Sequence, residues 1–357
     1  MKLAVIAVTA RGARLAEQLT AKLPFGADVF VKQDRNPGVA ATEYSVLSSL
    51  VAETFGKYDG FIFIMATGIV VRVLAPYIND KRFDPAVVVM DEAGQYAISL
   101  LSGHIGGANA LAKLAAEAVE ACPVITTATD VNHRPAADML AVSLELNIEP
   151  FENLKTVNAA IAAGEEVAFF LDPSVAEKER YMRGAAEMDI ELRDVADLNK
   201  TETYDAAVVI SDKELYMAKP YVYLRPAILA LGIGCRRGTT SAELFAAIED
   251  ACRRVGRSPK SIAVICTTTA KQDEIGLLAA SQQLVLPIHF FTNEELQQAI
   301  DEWGLSKSEF VEETIGVGNV CEAAAMLGGR ANRLVLPKTK YPNVAIALAE
   351  VKYRWWE

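Results

Sequence analysis

The chain has 357 residues, of which 52% are hydrophobic, and its formal net charge at pH 7 is −11. That length is too great for one ordinary hydrophobic core, so we expect two or three domains. The negative charge argues against a nucleic-acid-binding surface, because contacts with phosphates require clustered lysine and arginine.

The sequence also excludes other classes of protein. No apolar run approaches the roughly 18–20 residues of a membrane-spanning helix, and the apolar start MKLAVIAV fits a first buried strand better than a signal peptide. We therefore expect a cytoplasmic protein without membrane contacts. The five scattered cysteines lack a CxxC pair and the three histidines are separated, so neither a disulfide framework nor a protein-built metal site is predicted.

Residues 1–130 alternate β-branched runs with helical patterns, which is typical of a layered α/β domain. The predicted elements in chain order are a strand in KLAVIAV, a helix in RGARLAEQLTAKL, a strand in ADVFV, a helix in TEYSVLSSLVAETF, strands in GFIFIMA, PAVVVMD and YAISLL, a helix that starts at Gly107 and a strand in PVITT.

Residues 131–225 differ, because charged stretches interrupt the short runs EVAFFLD, AAVVIS and YVYLRP. Regular alternation returns in residues 226–357, with strands in AILALGIG, SIAVICT, PIHFF, RLVLP and NVAIALAEV and helices in SAELFAAIEDACRRVG, DEIGLLAASQQL, ELQQAIDEW and NVCEAAAMLGG. Thr240 with Glu243, and Thr292 with Glu295, have capping-box spacing. We predict an α/β fold with two layered domains, N- and C-terminal, joined by a smaller α/β middle domain.

Four segments share a pattern in which a strand ends, glycines follow and a helix begins. They are MATGIVVR (65–72), LSGHIGGAN (101–109), GIGCRRGTT (232–240) and GVGNVCEAAA (316–325). Glycine permits close backbone approach, and free amides at a helix N-terminus favour an anion. Together the segments predict a ligand with several negative groups, although each glycine taken alone is equally consistent with a simple turn.

Arginines near these turns have the chemistry to bind carboxylates. Arg72 and the pair Arg236–Arg237 are suited to bidentate contacts, with ordinary surface salt bridges as the alternative. A nucleotide is less favoured, because Arg237 occupies the place of the last glycine in GxGxxG and no GxxxxGK[ST] segment occurs.

His104 stands in the second glycine turn and is the candidate general base, which would take a proton from water. Asp91 or Glu92, which follow a predicted strand, would orient His104 or act as a base. The amides of Gly106 and Gly107 would stabilise an oxyanion. The alternatives are a histidine that only caps its turn and an acidic pair in a solvated turn.

Two features of the third domain leave alternatives open. Lys271 and Glu274 have the spacing of an i,i+3 ion pair. Cys235 lies beside two arginines that would lower its pKa and make it reactive, although no histidine nearby in sequence supports it as a nucleophile.

These segments resemble the cobalt-precorrin-5A hydrolase family (CbiG) of anaerobic cobalamin biosynthesis. ATGIVVRVLAP, DPAVVVMDEAGQYAISLLSGHIGGANALA and TTATD are similar to the N-terminal signature of that family. GIGCRRGT, KQDEIGL and VGNVCEAAA are similar to its C-terminal domain, which is related to the CobE proteins. The weakly patterned segment between them fits the central domain of the family.

The resemblance implies a hydrolase that opens the δ-lactone of cobalt-precorrin-5A and releases the extruded two-carbon unit as acetaldehyde, which gives cobalt-precorrin-5B. Cobalt would travel with the substrate, so no cofactor is expected in the protein. The cobalt-corrinoid substrate is the expected partner, and neighbouring enzymes of the pathway are further possible partners. The oligomeric state is left open, with a homodimer as one option. The rival functions are a non-catalytic corrinoid carrier and an α/β enzyme for a smaller carboxylate.

The motifs define a predicted site. The predicted catalytic residues are His104, Asp91 and Glu92. The predicted substrate-binding residues are Thr67, Gly68, Arg72, Ser102, Gly103, Gly106, Gly107, Asn109, Gly234, Cys235, Arg236, Lys271, Glu274, Gly318 and Glu322.

Overall fold

The computed structural model describes residues 1–132, 134–200 and 203–352. Their backbone forms three β-sheets with intervening helices, so the predicted α/β fold class is confirmed. The chain divides into two compact units, Met1–Val142 and Ser143–Glu357. In the described ranges, no helix combines the length and the apolar character that crossing a bilayer requires.

The first unit alternates strands and helices. Its strands are β1 (Leu3–Ala7), β2 (Ala27–Lys32), β3 (Thr42–Tyr44), β4 (Gly60–Ile64), β5 (Ala86–Met90), β6 (Tyr96–Leu101) and β7 (Cys122–Val124). Its helices are α1 (Ala10–Lys22), α2 (Leu47–Thr54), α3 (Thr67–Leu74), α4 (Ala108–Val119) and α5 (Ala128–Val131), and α6 (Ala137–Ser143) runs to its boundary. The strands form one sheet in the order β3-β2-β1-β4-β5-β6-β7.

Strand direction reverses once in this sheet, between β5 and β6. The neighbours from β3 to β5 are parallel. β6 runs antiparallel to β5, with Met90 opposite Ala97, and β7 is parallel to β6. The carboxyl ends of β1, β4 and β5 therefore lie at one edge of the sheet, and those of β6 and β7 lie at the opposite edge.

The centre of the sheet is covered on both faces. β1, β4 and β5 are buried along their whole length, as expected for parallel strands between two helical layers. Ile62 and Ile64 of β4 join a core with residues of α1 and α4, whereas Phe61 and Phe63 join a core with residues of α2 and α3. Alternate side chains of one strand thus supply both cores.

One predicted helix of this unit is only partly correct. In TEYSVLSSLVAETF, Thr42–Tyr44 forms the edge strand β3 and the helix begins at Leu47. The Tyr44 ring is buried, and its hydroxyl donates a hydrogen bond to the carbonyl of Ala7 at 3.1 Å. Tertiary packing of this ring therefore favours a strand where the sequence pattern favours a helix.

The second unit contains the other two sheets. The first of them consists of β8 (Asn147–Glu149), β9 (Val167–Leu171), β10 (Leu192–Asp194), β11 (Ala206–Ile210) and β12 (Tyr221–Arg225), with helices α7 (Asn153–Ala163) and α8 (Lys178–Ala186) and a 3-10 turn at Val195–Asp197. The strand order is β10-β9-β11-β12-β8, and β8 is antiparallel to β12.

The third sheet follows directly along the chain. Its strands are β13 (Leu229–Cys235), β14 (Ile262–Thr268), β15 (Ile288–Phe291), β16 (Leu334–Lys340) and β17 (Val344–Glu350). Its helices are α9 (Ser241–Arg254), α10 (Ile275–Leu284), α11 (Asn293–Trp303), α12 (Glu309–Ile315) and α13 (Cys321–Gly329), with 3-10 turns at Pro259–Ser261 and Thr269–Lys271. The order is β15-β14-β13-β17-β16, in which β13, β14 and β15 are parallel.

Both predicted capping boxes are confirmed in the third sheet's helices. At the start of α9, the Thr240 hydroxyl accepts from the amide of Glu243, whose side chain accepts from the amide of Thr240. Thr292 and Glu295 repeat the arrangement at the start of α11. Each box satisfies two amides that the helix itself leaves unpaired.

A buried arginine belongs to a hydrogen-bonded network that links the two sheet regions of the second unit through Glu149. Arg225, which is 1% exposed, pairs with Glu149 at 2.7 Å and with Glu214 at 2.5 Å. Glu149 also accepts a hydrogen bond from the hydroxyl of Ser258 at 2.6 Å. These contacts join residues of the predicted middle and C-terminal domains. The predicted boundaries 1–130, 131–225 and 226–357 stay predictions.

The packing of β13 against α13 generates a prediction about stability. A Cβ at Gly232 would lie 1.8 Å from the carbonyl oxygen of Cys321, and backbone cannot move away as a flexible side chain can. We expect Gly232→Ala to lower the free energy of unfolding by about 2–3 kcal/mol, measured by urea denaturation. Gly26→Ala is the control, because nothing lies within 4 Å of that position. Equal denaturation midpoints for the two variants would contradict the prediction.

Candidate functional site

The turn that carries His104 joins β6 to α4, and its backbone is tightly constrained. Ser102 has a φ of 59° and Gly107, the N-cap of α4, has a φ of 87°. A Cβ at Gly106 would lie only 2.3 Å from the Cβ of Ser102. Gly106 is therefore required for close packing, and Gly107 supplies a left-handed conformation that favours glycine.

His104 lies between two carboxylates. Its Nε2 is 2.7 Å from Oδ2 of Asp130, and its Nδ1 is 3.2 Å from Oδ2 of Asp138. The three side chains are mostly enclosed, with exposed fractions of 9% for His104, 13% for Asp130 and 5% for Asp138. Burial by itself disfavours the imidazolium, but the hydrogen bonds and charges of Asp138 and Asp130 outweigh it and raise the pKa of His104 above its ordinary value.

Asn109 extends this arrangement into a hydrogen-bonded network. Its Nδ2 donates to Oδ2 of Asp130 at 3.0 Å and to the Thr127 hydroxyl at 2.9 Å. Its Oδ1 accepts from the Ser99 hydroxyl at 2.6 Å. We call Ser99, His104, Asn109, Thr127, Asp130 and Asp138 the histidine cluster. Its carboxylates and its imidazole have the chemistry to hold and transfer a proton.

Strand direction explains why these residues meet. β6 and β7 are parallel, so the turn after β6 and the segment after β7, which contains Thr127 and Asp130, leave the same edge of the sheet. Asp130 ends the TTATD segment, and this motif could have identified it as a candidate site residue from the sequence. Asp138 lies in α6 and had no such signal.

Asp91 and Glu92 do not orient His104, so that expectation is wrong. They follow β5, which is antiparallel to β6, and therefore lie at the opposite edge of the sheet. The Asp91 carboxylate accepts from the amides of Ala93, Gln95 and Tyr96 within its own turn. Glu92 accepts from the Thr9 hydroxyl at 2.7 Å.

The two amides expected to form the oxyanion site differ in their hydrogen bonding. The Gly107 amide already donates to the carbonyl of His104 at 3.0 Å, so it is occupied within its turn. The Gly106 amide has no hydrogen-bond partner in the described part of the chain. Gly103 contributes its carbonyl, which accepts from the Asn109 amide at 2.9 Å, and thereby helps to start α4.

The first glycine junction lies away from the histidine cluster. Thr67 and Gly68 begin α3 after β4, at the same sheet edge as Glu92. The guanidinium of Arg72, which is exposed, donates to the carbonyl of Gly68 at 2.9 Å. The predicted residues of the first unit are thus divided between two opposite edges of one sheet.

Three predicted residues of the third sheet, Cys235, Lys271 and Glu274, come together. Gly234 and Cys235 end β13 and Arg236 follows it, whereas Lys271 and Glu274 follow the parallel strand β14. The Arg236 amide donates to the carbonyl of Asn343, while its side chain is exposed and makes no hydrogen bond or ion pair with the described residues. Unlike Arg236, Arg237 has a charged partner, because its guanidinium pairs with Asp273 at 3.0 Å.

Cys235 does not have the character of an activated nucleophile. Burial raises the pKa of its thiol above the ordinary value, and among the nearby charges Lys271 lowers it while Glu274 raises it. The expectation that the adjacent arginines lower this pKa is therefore wrong, because their guanidinium groups lie in solvent. The thiol is best described as half-buried and protonated.

Gly318 and Glu322 hold the turn that precedes α13. A Cβ at Gly318 would lie 2.7 Å from the Cβ of Lys307, so only glycine fits. Glu322 is buried, and its carboxylate accepts from the Lys338 amide at 2.8 Å and from the side chain of Asn319. Both carboxylate oxygens are thus occupied by the protein itself. Among the described residues, no group of three or more His, Cys, Asp or Glu side chains is arranged to hold a metal ion.

Comparison with known proteins identifies related sequences along the chain. Three family models match, described as cobalamin synthesis G N-terminal over residues 49–130, cobalamin biosynthesis central region over 135–226 and cobalamin synthesis G C-terminus over 229–349. The chain is 33% identical to a cobalt-precorrin-5A hydrolase of Priestia megaterium over 98% of this chain and 95% of that protein.

Two further relatives agree with these matches. A cobalt-precorrin-5A hydrolase of Salmonella typhimurium is 36% identical over 91% of each chain. Protein CobE of Sinorhizobium sp. is 31% identical over 34% of this chain and 79% of that protein. The resemblance inferred from the sequence motifs is confirmed, and the chain belongs to the cobalamin synthesis G (CbiG) family.

Proposed function

We propose that this chain is a cobalt-precorrin-5A hydrolase of cobalamin biosynthesis. The observation that carries the proposal is similarity to proteins of that name through nearly the whole chain, rather than through one domain. A non-catalytic carrier is the weaker alternative, because the relatives that match the full length bear the name of an enzyme. Release of acetaldehyde separates the two, since a carrier binds the corrinoid without turnover.

The reaction consists of two bond cleavages. Water adds to the lactone carbonyl, and cleavage of the carbon–oxygen bond gives a carboxylate and a hydroxyl on the two-carbon unit. That hydroxyl then loses its proton while the bond between its carbon and the macrocycle breaks. The electron pair of that bond goes to the macrocycle, which takes up a proton, and acetaldehyde leaves. Both steps therefore need groups that donate and accept protons.

We assign proton transfer to the histidine cluster. Carboxylates at both ring nitrogens favour the imidazolium and raise the pKa of His104, so we assign it as a proton donor rather than as the base that activates water. Asp130, the most exposed of the three charged side chains, is the member that can receive a proton in return. Asp138 holds the second ring nitrogen and fixes the orientation of the ring. The free amide of Gly106 is the remaining candidate for an oxyanion contact.

The substrate brings the metal in this proposal. Cobalt is bound in the corrinoid, and the protein supplies proton transfer and contacts to the carboxylate side chains of the macrocycle. A cytoplasmic location and contacts with neighbouring pathway enzymes belong to the same proposal. We assign the contacts with the carboxylate side chains of the macrocycle to the predicted substrate-binding residues at the edge of the third sheet.

Replacing His104 tests the catalytic assignment. We expect His104→Ala to lower kcat for acetaldehyde release from cobalt-precorrin-5A by about 100-fold or more, because the proton donor is lost. Glu92→Gln is the matched control at the opposite sheet edge and is expected to keep the wild-type rate. Circular dichroism establishes folding, and His104→Gln, which retains hydrogen bonding, replaces the alanine variant where folding fails. A wild-type rate in a folded variant contradicts the assignment.

The pKa of His104 provides a separate prediction. Nitrogen-15 NMR of the imidazole is expected to show His104 titrating above about 6.5 and His289, whose pKa is lowered by burial, titrating below it. The stabilisation from protonated His104 is fully present below about 6.5 and is lost as pH rises through the folded-state pKa. Asp138→Asn should lower that pKa, whereas Asp91→Asn should not. An unchanged pKa in Asp138→Asn contradicts the prediction.

A further inference from the structure

A buried lysine in the second unit has fewer partners than its chemistry requires. Lys271 is 6% exposed and lies in the 3-10 turn that follows β14. An ammonium has three protons to donate, and a buried charge is costly unless it is paired and hydrogen-bonded. Among the described residues, its charged partner is Glu274, with Nζ 3.5 Å from Oε2, and it donates no hydrogen bond.

Glu274 is held in place by the glycine turn and cannot turn fully towards Lys271. Its Oε1 accepts from the Gly238 amide at 2.7 Å. Its Oε2 is enclosed and has no hydrogen-bond partner among the described residues. The residue is 5% exposed, so water does not satisfy this oxygen from an open surface. Two opposite charges are therefore buried side by side, each incompletely satisfied.

The pair stands where open α/β sheets bind ligands. Cys235 ends β13 and Thr268 ends the parallel strand β14, so the segments that follow them share one edge of the sheet. Ligands bind in the crevice outside the carboxyl ends of such strands. The side chain of Arg236, which begins the glycine turn, is exposed and has no charged partner among the described residues. This edge therefore carries two cationic side chains that donate no hydrogen bond to the described residues, Arg236 exposed and Lys271 buried.

We propose that Lys271, positioned by Glu274 and assisted by Arg236, forms a carboxylate-binding subsite of the second unit. A ligand carboxylate accepts from the ammonium, which then donates to Oε2 of Glu274 as well and satisfies both buried groups. Glu274 offsets one positive charge, so the subsite suits a single carboxylate better than a phosphate cluster. The identity of the ligand as a side chain of the corrinoid rests on the proposed function.

Binding of two corrinoids to the full chain tests the subsite. Cobyrinic acid carries carboxylate side chains, and cobinamide carries their amides. By isothermal titration calorimetry, Lys271→Met is expected to weaken cobyrinic acid binding about tenfold or more and to leave cobinamide binding unchanged. Lys340→Met is the control, because it removes the same charge from an exposed position at the end of β16.

A second variant controls for misfolding as a cause of weaker binding, because Lys271→Met leaves Glu274 buried without its cation. Lys271→Met combined with Glu274→Gln has neither charge, and glutamine can still accept from the Gly238 amide. Binding of cobyrinic acid with wild-type affinity by these variants overturns the subsite, as does a wild-type chain that does not distinguish the two corrinoids. Acetaldehyde release from cobalt-precorrin-5A is measured separately, because its absence would defeat the hydrolase proposal while leaving a Lys271-dependent affinity intact.

Discussion

The arrangement of the first unit depends on one constraint, the reversal of strand direction between β5 and β6. It separates the carboxyl ends of the strands into two groups at opposite edges of the sheet. His104 emerges with the residues that follow β7, and two aspartates enclose its ring. With β5 and β6 parallel, the same turn would instead have faced Asp91 and Glu92.

The enclosed imidazole is stable only as part of its network. Loss of one partner from a buried ion pair typically costs about 3–5 kcal/mol, because it leaves an uncompensated charge. Asn109 contributes by holding Asp130 in place, and its own oxygen is satisfied by Ser99. The network therefore favours the imidazolium at a position where burial alone would disfavour it.

The third sheet also has a buried ion pair, but its hydrogen bonds are incomplete. Lys271 and Glu274 face each other across a distance too long for a good hydrogen bond, and one carboxylate oxygen is unsatisfied. Near the histidine cluster the protein satisfies its own charges, whereas here it leaves donors and acceptors available. Arg225, by comparison, donates four hydrogen bonds and stabilises the packing of its unit.

The sequence by itself determined the α/β class, most of the strands, both capping boxes and the family, because each of these depends on local periodicity or on contiguous motifs. It also selected His104 as a candidate catalytic residue, and Lys271 and Glu274 as candidate binding residues with the spacing of an ordinary ion pair. Tertiary structure decided which carboxylates meet His104, that Cys235 is protonated and that Glu322 is occupied by the Lys338 amide and Asn319. The physical reason is that strand direction and burial arise from contacts between distant segments. A sequence motif records neighbours along the chain and does not record which sheet edge they occupy.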